Sequence, residues 1–388
     1  MDRPRALLLI AATALLIFAG ALGVRLHALL GATAASHAKV LCSARFVSGR
    51  PLEAARRESL RLAFPGTRVE VEPASRSVRV STAGLAERRA VFAGDQGCLA
   101  LPEGAEELGF EPLAVPRTLP PAQARRWPLG ARGARAAPAE LGLDPAALAQ
   151  GVEAAFAPGA LTAAFLVVHR GRIVAERYGS GADAHMPLES WSMGKSLTAT
   201  LVGRLVQQGA LALEDPAPIR AWREPGDPRR EIRVAHLLRM SSGLRFSGPT
   251  RSLARLLLHG IPDHLRIYTG MDDVFRFAID RPLEHPPGQV GRYRNADPLV
   301  LGAVVRRIVE GRGESYLTWP QRVLFDRIGA RHFVLETDRQ GNFLLTGYDY
   351  GSARDWARLG LLYLGRGVFA GERLLPEHFV RFVAAPAP

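Results

Sequence analysis

The first hydrophobic pattern is an unbroken run near the start of the chain. Residues 6–24, ALLLIAATALLIFAGALGV, form a 19-residue stretch without a charge. A membrane-spanning helix needs roughly 20 apolar residues, whereas the core of a cleaved signal peptide has about 7–15. We therefore predict a cytoplasmic stub and a transmembrane anchor, or an uncleaved signal, over residues 1–30. Cleavage within residues 28–38 is the alternative.

The charges beside this run predict its orientation. Arg3 and Arg5 precede the run, and Arg25 is the one opposing charge on its far side. Positive residues stay on the cytoplasmic side of a membrane. We expect a single pass through the inner membrane, with the rest of the chain on the periplasmic side.

Shorter periodic segments occupy the chain up to residue 138. Residues 52–64 have the spacing of an amphipathic helix, and residues 67–82 alternate as two strands around a turn at 72–75. These patterns predict a small α+β unit over residues 40–112. The stretch 113–138 is rich in Pro, Ala and Arg, which is typical of a linker or a wrapping arm.

A larger domain is predicted over residues 139–388. Residues 142–157 have a helical pattern with Asp144 as the N-cap, and residues 162–179 predict a hairpin of two apolar strands. Two further helices are expected, one after Ser192 and one from Asp297. The first of these has an apolar stripe formed by Met193, Leu197, Leu201, Leu205 and Val206.

The composition and charge of the chain indicate which classes of partner it binds. It has 388 residues, 47% of them apolar, and a net charge of +13. Its arginines are scattered and no zinc-finger or RNP-like pattern accompanies them, which argues against a nucleic-acid partner. The positive charge favours attraction to an anionic membrane or cell-wall surface instead.

The chain has two cysteines, Cys42 and Cys98. Both lie outside the membrane in the predicted topology, where the compartment permits a disulfide between them. Cysteines and clustered histidines are too few for a structural zinc site, and no sequence feature implies a metal or another cofactor.

Lys195 is one of two lysines among 50 basic residues. Arginine stays protonated in proteins, whereas lysine can lose its proton and act as a base. Ser192 lies three residues before Lys195, so both side chains would share one face of the predicted helix near its N-terminus. A neutral amine beside a serine hydroxyl can activate that hydroxyl as a nucleophile. Ser36 and Lys39 have the same spacing but lie beside the predicted anchor, so spacing alone identifies no site.

Tyr293 and Asn295 lie just before the helix that is predicted from Asp297. A phenol hydrogen-bonded to Lys195 could relay a proton, and the Asn295 amide could hold Lys195 or a substrate. The alternatives are a half-buried loop aromatic and a turn residue. No Gly-x-Ser-x-Gly elbow is present, which argues against a Ser-His-Asp triad.

The order of these motifs resembles that of serine β-lactamase-related hydrolases. The hairpin, the Ser-x-x-Lys helix, HLLRMSSGL at 236–244, Tyr-x-Asn and GYDYGSARDWARLGLLYLGRG at 347–367 follow one another as in this group. The group includes class C β-lactamases, D-alanyl-D-alanine peptidases, family VIII esterases and 6-aminohexanoate-dimer hydrolases. LCSARFVSGR at 41–50 resembles the front end of envelope members close to the last kind.

The resemblance implies an α+β fold of the β-lactamase/transpeptidase type, with an antiparallel sheet flanked by helices and an all-α region. It also implies Ser192 as the acylated nucleophile, Lys195 as its base partner, and Tyr293 as a second base that serves deacylation. Asn295 would contact the substrate, and the Ser192 backbone N–H would form half of an oxyanion hole. Tyr348 and Tyr350 could line a substrate cleft or pack beside it.

One motif of this family does not occur in the sequence. Relatives carry Lys or His two residues before Gly on a late strand that faces the nucleophile. The chain ends at RFVAAPAP, about where relatives continue to that strand. We therefore expect a chain without the C-terminal segment of the family, either a fragment or a degenerate member.

The sequence thus predicts an envelope-anchored serine hydrolase that forms an acyl-enzyme with an amide, ester or β-lactam, from a small molecule or a peptide. The alternative is a non-catalytic family member that binds cell-wall peptides or a protein partner.

Overall fold

The computed structural model describes residues 3–60, 63–250 and 252–387. The N-terminal part consists of α1 (Arg3–Cys42), α2 (Leu52–Ser59), β1 (Arg68–Glu72), β2 (Ser77–Thr82), β3 (Ala86–Phe92) and β4 (Cys98–Ala100). The next part consists of α3 (Pro145–Ala155), β5 (Ala164–His169), β6 (Arg172–Tyr178), β7 (Leu188–Glu189), α4 (Gly194–Gln207), α5 (Val234–Leu238), α6 (Leu253–His259), α7 (Asp263–Arg266) and α8 (Val274–Ile279). The last part consists of α9 (Ala296–Gly311), α10 (Asp326–Ile328), β8 (Val334–Leu335), β9 (Asp349–Gly351), α11 (Ala353–Leu364), β10 (Val368–Phe369), β11 (Glu372–Arg373) and α12 (Glu377–Ala384).

Helix α1 has two halves with different surroundings. Leu15, Ile17 and Phe18 in its first half are more than 60% exposed, whereas residues from Leu29 onward are largely buried against β2 and β3. By length and composition the helix could cross a membrane, as the apolar run predicts. Its second half belongs to the core of the small unit, which therefore includes residues before position 40.

The small unit contains an antiparallel sheet in the order β1-β2-β3-β4. The two strands predicted within residues 67–82 are confirmed as β1 and β2, with Val69 opposite Val80. Strands β3 and β4 were not among the predicted elements. The helix predicted over residues 52–64 ends at Ser59, and residues 61–62 lie outside the described residues.

The segment 113–138 lies along the surface of both units. Leu113 N donates to Gln96 Oε1 at 2.8 Å near its beginning. Near its end, the Arg358 guanidinium donates to the carbonyls of Pro128 and Gly130 at 2.7 and 2.9 Å. These contacts hold the segment against both units, so that it wraps around them.

The predicted hairpin and the helix before it are both confirmed. The Asp144 side chain accepts hydrogen bonds from the first turn of α3. Strands β5 and β6 pair antiparallel, and in the part of the chain that the structure describes no third strand pairs with them. One side of the hairpin packs on α11 and Trp127 instead.

The core of the large unit is built around α4 and α9. Leu197, Leu201 and Leu205 of the predicted α4 stripe are fully buried, and so are Val300 and Val304 of α9. Met193, which the predicted stripe also included, is 49% exposed because it lies in the turn before α4. A small sheet in the order β7-β9-β8 lies at the N-terminal end of α4. This sheet positions the turn that carries Ser192.

Candidate active site

The turn that carries Ser192 connects β7 to α4 and is fastened to β9. Ser190 N donates to the Asp349 carbonyl at 2.8 Å, and Asp349 N donates to Ser190 Oγ at 3.3 Å. Trp191 then adopts a φ of +43°, a left-handed conformation that costs free energy in a non-glycine residue. The turn leaves Ser192 exposed just before a helix of 14 residues. The positive end of that helix dipole favours negative charge on Ser192 Oγ.

Gly194, the first residue of α4, allows the helix to approach Asp349 closely. A Cβ at this position would lie 1.9 Å from Asp349 Oδ2, far inside van der Waals contact. Asp349 is fully buried, and burial raises the pKa of its carboxyl well above its ordinary value. The Asp349 carboxyl therefore lies directly beneath the start of α4.

The structure brings together the two side chains whose spacing predicts a catalytic pair. Lys195 Nζ donates to Ser192 Oγ at 3.0 Å and to the Thr346 carbonyl at 3.0 Å. Burial lowers the pKa of Lys195, and the nearby Tyr293 and Asp349 partly oppose that shift. The amine is therefore easier to deprotonate than that of an ordinary lysine, which a base partner of Ser192 requires.

The second Ser-x-x-Lys sequence does not form such a pair. Lys39 is 1% exposed, and its ammonium donates to Glu336 and to the Cys98 carbonyl. Its contacts hold it inside the protein, away from any surface that a substrate could reach.

Tyr293 lies beside Lys195 at the protein surface. Lys195 Nζ is 4.9 Å from the centroid of the Tyr293 ring, and the tyrosine is 62% exposed. The predicted neighbour of Lys195 is therefore adjacent to it and open to solvent.

Asn295 is fully buried at the start of α9. Its Nδ2 donates to the Tyr268 hydroxyl and to His264 Nδ1, at 3.1 Å from each, while its Oδ1 has no hydrogen-bond partner among the described residues. Burial and the charge of Lys195 both lower the pKa of His264, which keeps the ring neutral and able to accept. The predicted contact of Asn295 with a substrate stays a prediction.

Three residues of this network were not identified from the sequence. The Tyr268 hydroxyl is 2.7 Å from Thr346 Oγ1, and the Thr346 carbonyl accepts from Lys195. Through Asn295 and Tyr268 the network reaches His264. His264 and Tyr268 lie four residues apart in one segment and Thr346 lies in a distant one, so only the fold shows that they meet Asn295 and Lys195.

Tyr348 and Tyr350 are each 3% exposed and pack in the core. The Tyr348 ring is 5.4 Å from Trp191 and 5.1 Å from Tyr268, measured between centroids. The sequence suggested that these tyrosines either line a substrate cleft or pack beside it, and their positions agree with packing. Neither tyrosine lines the cleft beside Lys195.

A cleft of about 990 Å³ opens beside Lys195 and Tyr293. Its walls come from the start of α4, the turn after α5, helix α11 and the C-terminal part of the described chain. The apolar side chains of its lining include those of Met193, Leu238, Met240, Trp356, Leu359 and Leu364. The cleft therefore offers an apolar surface next to the Ser192–Lys195 pair.

Cys42 and Cys98, the predicted disulfide candidates, are bonded to each other. The bond joins the end of α1 to the start of β4. Across the described residues, no group of three or more His, Cys, Asp or Glu side chains could hold a metal ion.

The chain is similar in sequence to a curated protein. It is 26% identical over 231 residues to the 6-aminohexanoate-dimer hydrolase of Paenarthrobacter ureafaciens, covering 58% of this chain and 57% of that protein. The chain thus spans little more than half the length of this curated relative.

Solved structures to which the chain is similar include a proposed 6-aminohexanoate-dimer hydrolase from Bacillus anthracis, at 25% identity and a TM-score of 0.47. That match covers 57% of this chain and 58% of the other. A proposed β-lactamase from Bacteroides dorei has 19% identity and a TM-score of 0.49, over 63% and 73% of the two chains. The family model described as Beta-lactamase matches residues 146–385, which include the Ser192 turn, α4, α9 and α11. Since that match covers more than half of the sequence, the chain belongs to the Beta-lactamase family.

Proposed function

We propose that the protein is an envelope-anchored serine hydrolase that forms an acyl-enzyme at Ser192. The observation that carries this proposal is the 3.0 Å hydrogen bond between Lys195 Nζ and Ser192 Oγ at the N-terminus of α4. Membership of a family of serine hydrolases supports it.

Acylation would begin with attack of Ser192 Oγ on the acyl carbon of the substrate. A new C–O bond forms while neutral Lys195 accepts the hydroxyl proton, and the carbonyl oxygen becomes an oxyanion. The Ser192 backbone N–H and the α4 dipole would stabilise that oxyanion. When the bond to the leaving group breaks, the Lys195 ammonium would return the proton to it.

Deacylation needs a second base next to the ester carbon. Tyr293 is our candidate, because its ring lies 4.9 Å from Lys195 Nζ and is open to water. Its hydroxyl would take a proton from the attacking water while passing its own proton to neutral Lys195. As the new C–O bond to the water oxygen forms and the bond from the acyl carbon to Ser192 Oγ breaks, Lys195 would return that proton to Ser192 Oγ. Asn295 would act at the same wall of the site, by contact with the substrate or by holding Tyr268.

The substrate class is an acyl compound with an amide, ester or β-lactam bond. Because the chain is similar to a 6-aminohexanoate-dimer hydrolase, the 6-aminohexanoate dimer is the first compound to test. The apolar lining of the cleft supports an acyl or leaving group with a hydrocarbon chain.

The position outside the cytoplasm is proposed from α1 and the disulfide. The first half of α1 exposes a row of large apolar side chains, which a bilayer would cover. The Cys42–Cys98 bond suits an oxidising compartment.

Covalent labelling of the full chain with a fluorophosphonate tests the proposed nucleophile. We expect one label on the wild-type protein, located on Ser192 by peptide mass. Ser192→Ala should take no label, and the control Ser36→Ala should label as the wild type does. Equal labelling of the two variants would contradict the assignment of Ser192 as the nucleophile. No labelling of the wild type would favour the non-catalytic alternative of a protein that binds cell-wall peptides or a partner.

A further inference from the structure

The second lysine of the chain is buried where the small unit meets the large one. The Lys39 ammonium, at the end of α1, donates to Glu336 Oε2 at 2.6 Å and to the Cys98 carbonyl at 2.7 Å. It also lies 4.5 Å from the centroid of the Tyr348 ring. The mechanism proposed above does not use this group.

Glu336 is held from the small unit by three donors. Besides Lys39, the Ser43 hydroxyl and the Cys98 backbone N–H donate to Oε1, at 2.6 and 2.9 Å. The carboxylate is fully buried and has lost its contacts with water. The hydrogen bonds from these three donors offset that loss. The Cys42–Cys98 bond fixes the Cys98 backbone against α1 at this point.

The ion pair is continuous with the turn that carries the nucleophile. Glu336 N donates to the Tyr348 carbonyl at 3.3 Å, and the Tyr348 ring centroid is 4.5 Å from the Lys39 ammonium and 5.4 Å from the centroid of Trp191. Tyr348 and Trp191 have φ values of +63° and +43°, so both need neighbouring contacts to hold them. Ser192 follows Trp191 directly.

The acidic side chains near the Ser192 turn explain the need for the positive charge of Lys39. Two further acids act on this region, Glu189 at the end of β7, which is partly exposed, and Asp349 of β9, which is fully buried. Burial and the charge of Glu336 raise the pKa of Glu189 to about 7, and Lys39 opposes that shift. Removing Lys39 would leave Glu336 uncompensated among other acids, and a buried uncompensated charge forces its surroundings to rearrange.

We infer that Lys39 is a positioning residue for Ser192, acting through Glu336, Tyr348 and Trp191, so that the N-terminal unit completes the active site. This inference rests on the proposed hydrolase function. It predicts that the small unit affects the rate of acylation and leaves probe binding largely unchanged.

The test uses two variants of the pair and a matched control in the full chain. Lys39→Met removes the charge, and Glu336→Gln removes the partner while keeping its shape. Glu176→Gln is the control, since Glu176 also has a side chain that is 0% exposed and contacts three donors, Arg354, Arg135 and Tyr178. For each protein, melting temperature, the maximal rate of fluorophosphonate acylation and the apparent affinity for the probe are measured. Hydrogen exchange of the 190–194 backbone amides is followed in parallel.

Both pair variants should acylate at least about tenfold more slowly at saturating probe, with an affinity for the probe within about twofold. Their 190–194 amides should exchange faster, and the Lys39→Met/Glu336→Gln double variant should recover part of the rate because no uncompensated charge remains. Glu176→Gln should lower the melting temperature and leave rate and exchange at 190–194 unchanged.

Wild-type acylation and exchange in Glu336→Gln, with a lowered melting temperature, would overturn the inference and leave Lys39 a purely structural contact. If Lys39→Met does not fold, Glu336→Gln still decides. If the wild-type chain takes no label at all, the hydrolase proposal fails, and the exchange data alone then decide whether Lys39 orders the Ser192 turn.

Discussion

At the scale of single residues, both lysines occupy places that an arginine would not fill. In the proposed mechanism Lys195 loses its proton, and burial lowers its pKa in that direction. Lys39 places a compact charge between Glu336, a backbone carbonyl and a tyrosine ring. Arginine is larger, planar and always charged, so neither exchange is conservative.

Replacing Lys195 with arginine should abolish the base while keeping a cation beside Ser192. We expect Lys195→Arg to lower the rate of Ser192 acylation by about 10²–10⁴-fold, the usual contribution of a general base. Labelling kinetics with a fluorophosphonate measure this. Arg239→Lys, another cationic exchange on the cleft wall, should keep the wild-type rate. Near-normal acylation by Lys195→Arg would show that Lys195 is not the base.

The pH dependence of acylation should report the state of Lys195. Only the neutral amine accepts the Ser192 proton, so the rate should rise as pH rises through the Lys195 pKa. Because burial lowers that pKa, the midpoint should lie below the ordinary lysine value of about 10.4. Tyr293 raises the pKa of Lys195, so Tyr293→Phe should move the midpoint to still lower pH. A profile that is flat from pH 6 to about 10 would contradict this assignment.

At the scale of secondary structure, the start of α4 depends on the glycine inside the Ser-Met-Gly-Lys sequence. In Gly194→Ala the new methyl group would meet Asp349 Oδ2, so the turn or the helix must shift. We expect a loss of about 1–3 kcal/mol in the free energy of unfolding, together with a loss of Ser192 labelling. Denaturant titration and labelling measure the two effects.

Gly151→Ala is the matched control for this substitution. Gly151 lies inside α3, and a Cβ there would have no atom within 4 Å. Alanine should raise the free energy of unfolding by roughly 0.5–1 kcal/mol and leave labelling unchanged. Equal effects of the two substitutions would show that the contact with Asp349 is unimportant.

The Cys42–Cys98 bond ties α1 to the sheet of the small unit. It joins residues 56 positions apart, so it restricts the unfolded chain considerably. The Cys42→Ser/Cys98→Ser variant should lose about 2–4 kcal/mol in the free energy of unfolding. Dithiothreitol should destabilise the wild type and leave the variant unaffected. An identical denaturation midpoint for variant and wild type would contradict a stabilising role.

How far the sequence predicted each element depended on whether its signal was local. The Asp144 cap, the hairpin and the stripe of α4 each lie within one short segment and were predicted. Strand β3 was not, because its fully buried contacts with α1 are made by alanines such as Ala90, and alanine favours helices. The Ser192–Lys195 pair was found by spacing, whereas Tyr268 and Thr346 reach the site only through long-range packing.

At the scale of the whole molecule, α1 links a proposed membrane anchor to the active site. One helix of 40 residues exposes apolar side chains in its first half and ends in the Lys39 and Cys42 contacts. Because the helix is continuous, the proposed catalytic unit would be held at a fixed height above the bilayer, and the net charge of +13 of the whole chain would favour an anionic surface there.

Charges placed in the middle of the apolar run should therefore release the protein from membranes. At the centre of a span each arginine costs about 2.5–3.5 kcal/mol of insertion free energy. The Leu15→Arg/Leu16→Arg variant should move from the membrane pellet to the supernatant after an alkaline carbonate wash of bacterial membranes. Leu161→Arg, at a leucine that is 71% exposed outside the run, should stay in the pellet with the wild type. A wild-type protein that is released by carbonate, with an N-terminus found within residues 28–38 by mass spectrometry, would instead identify the run as a cleaved signal.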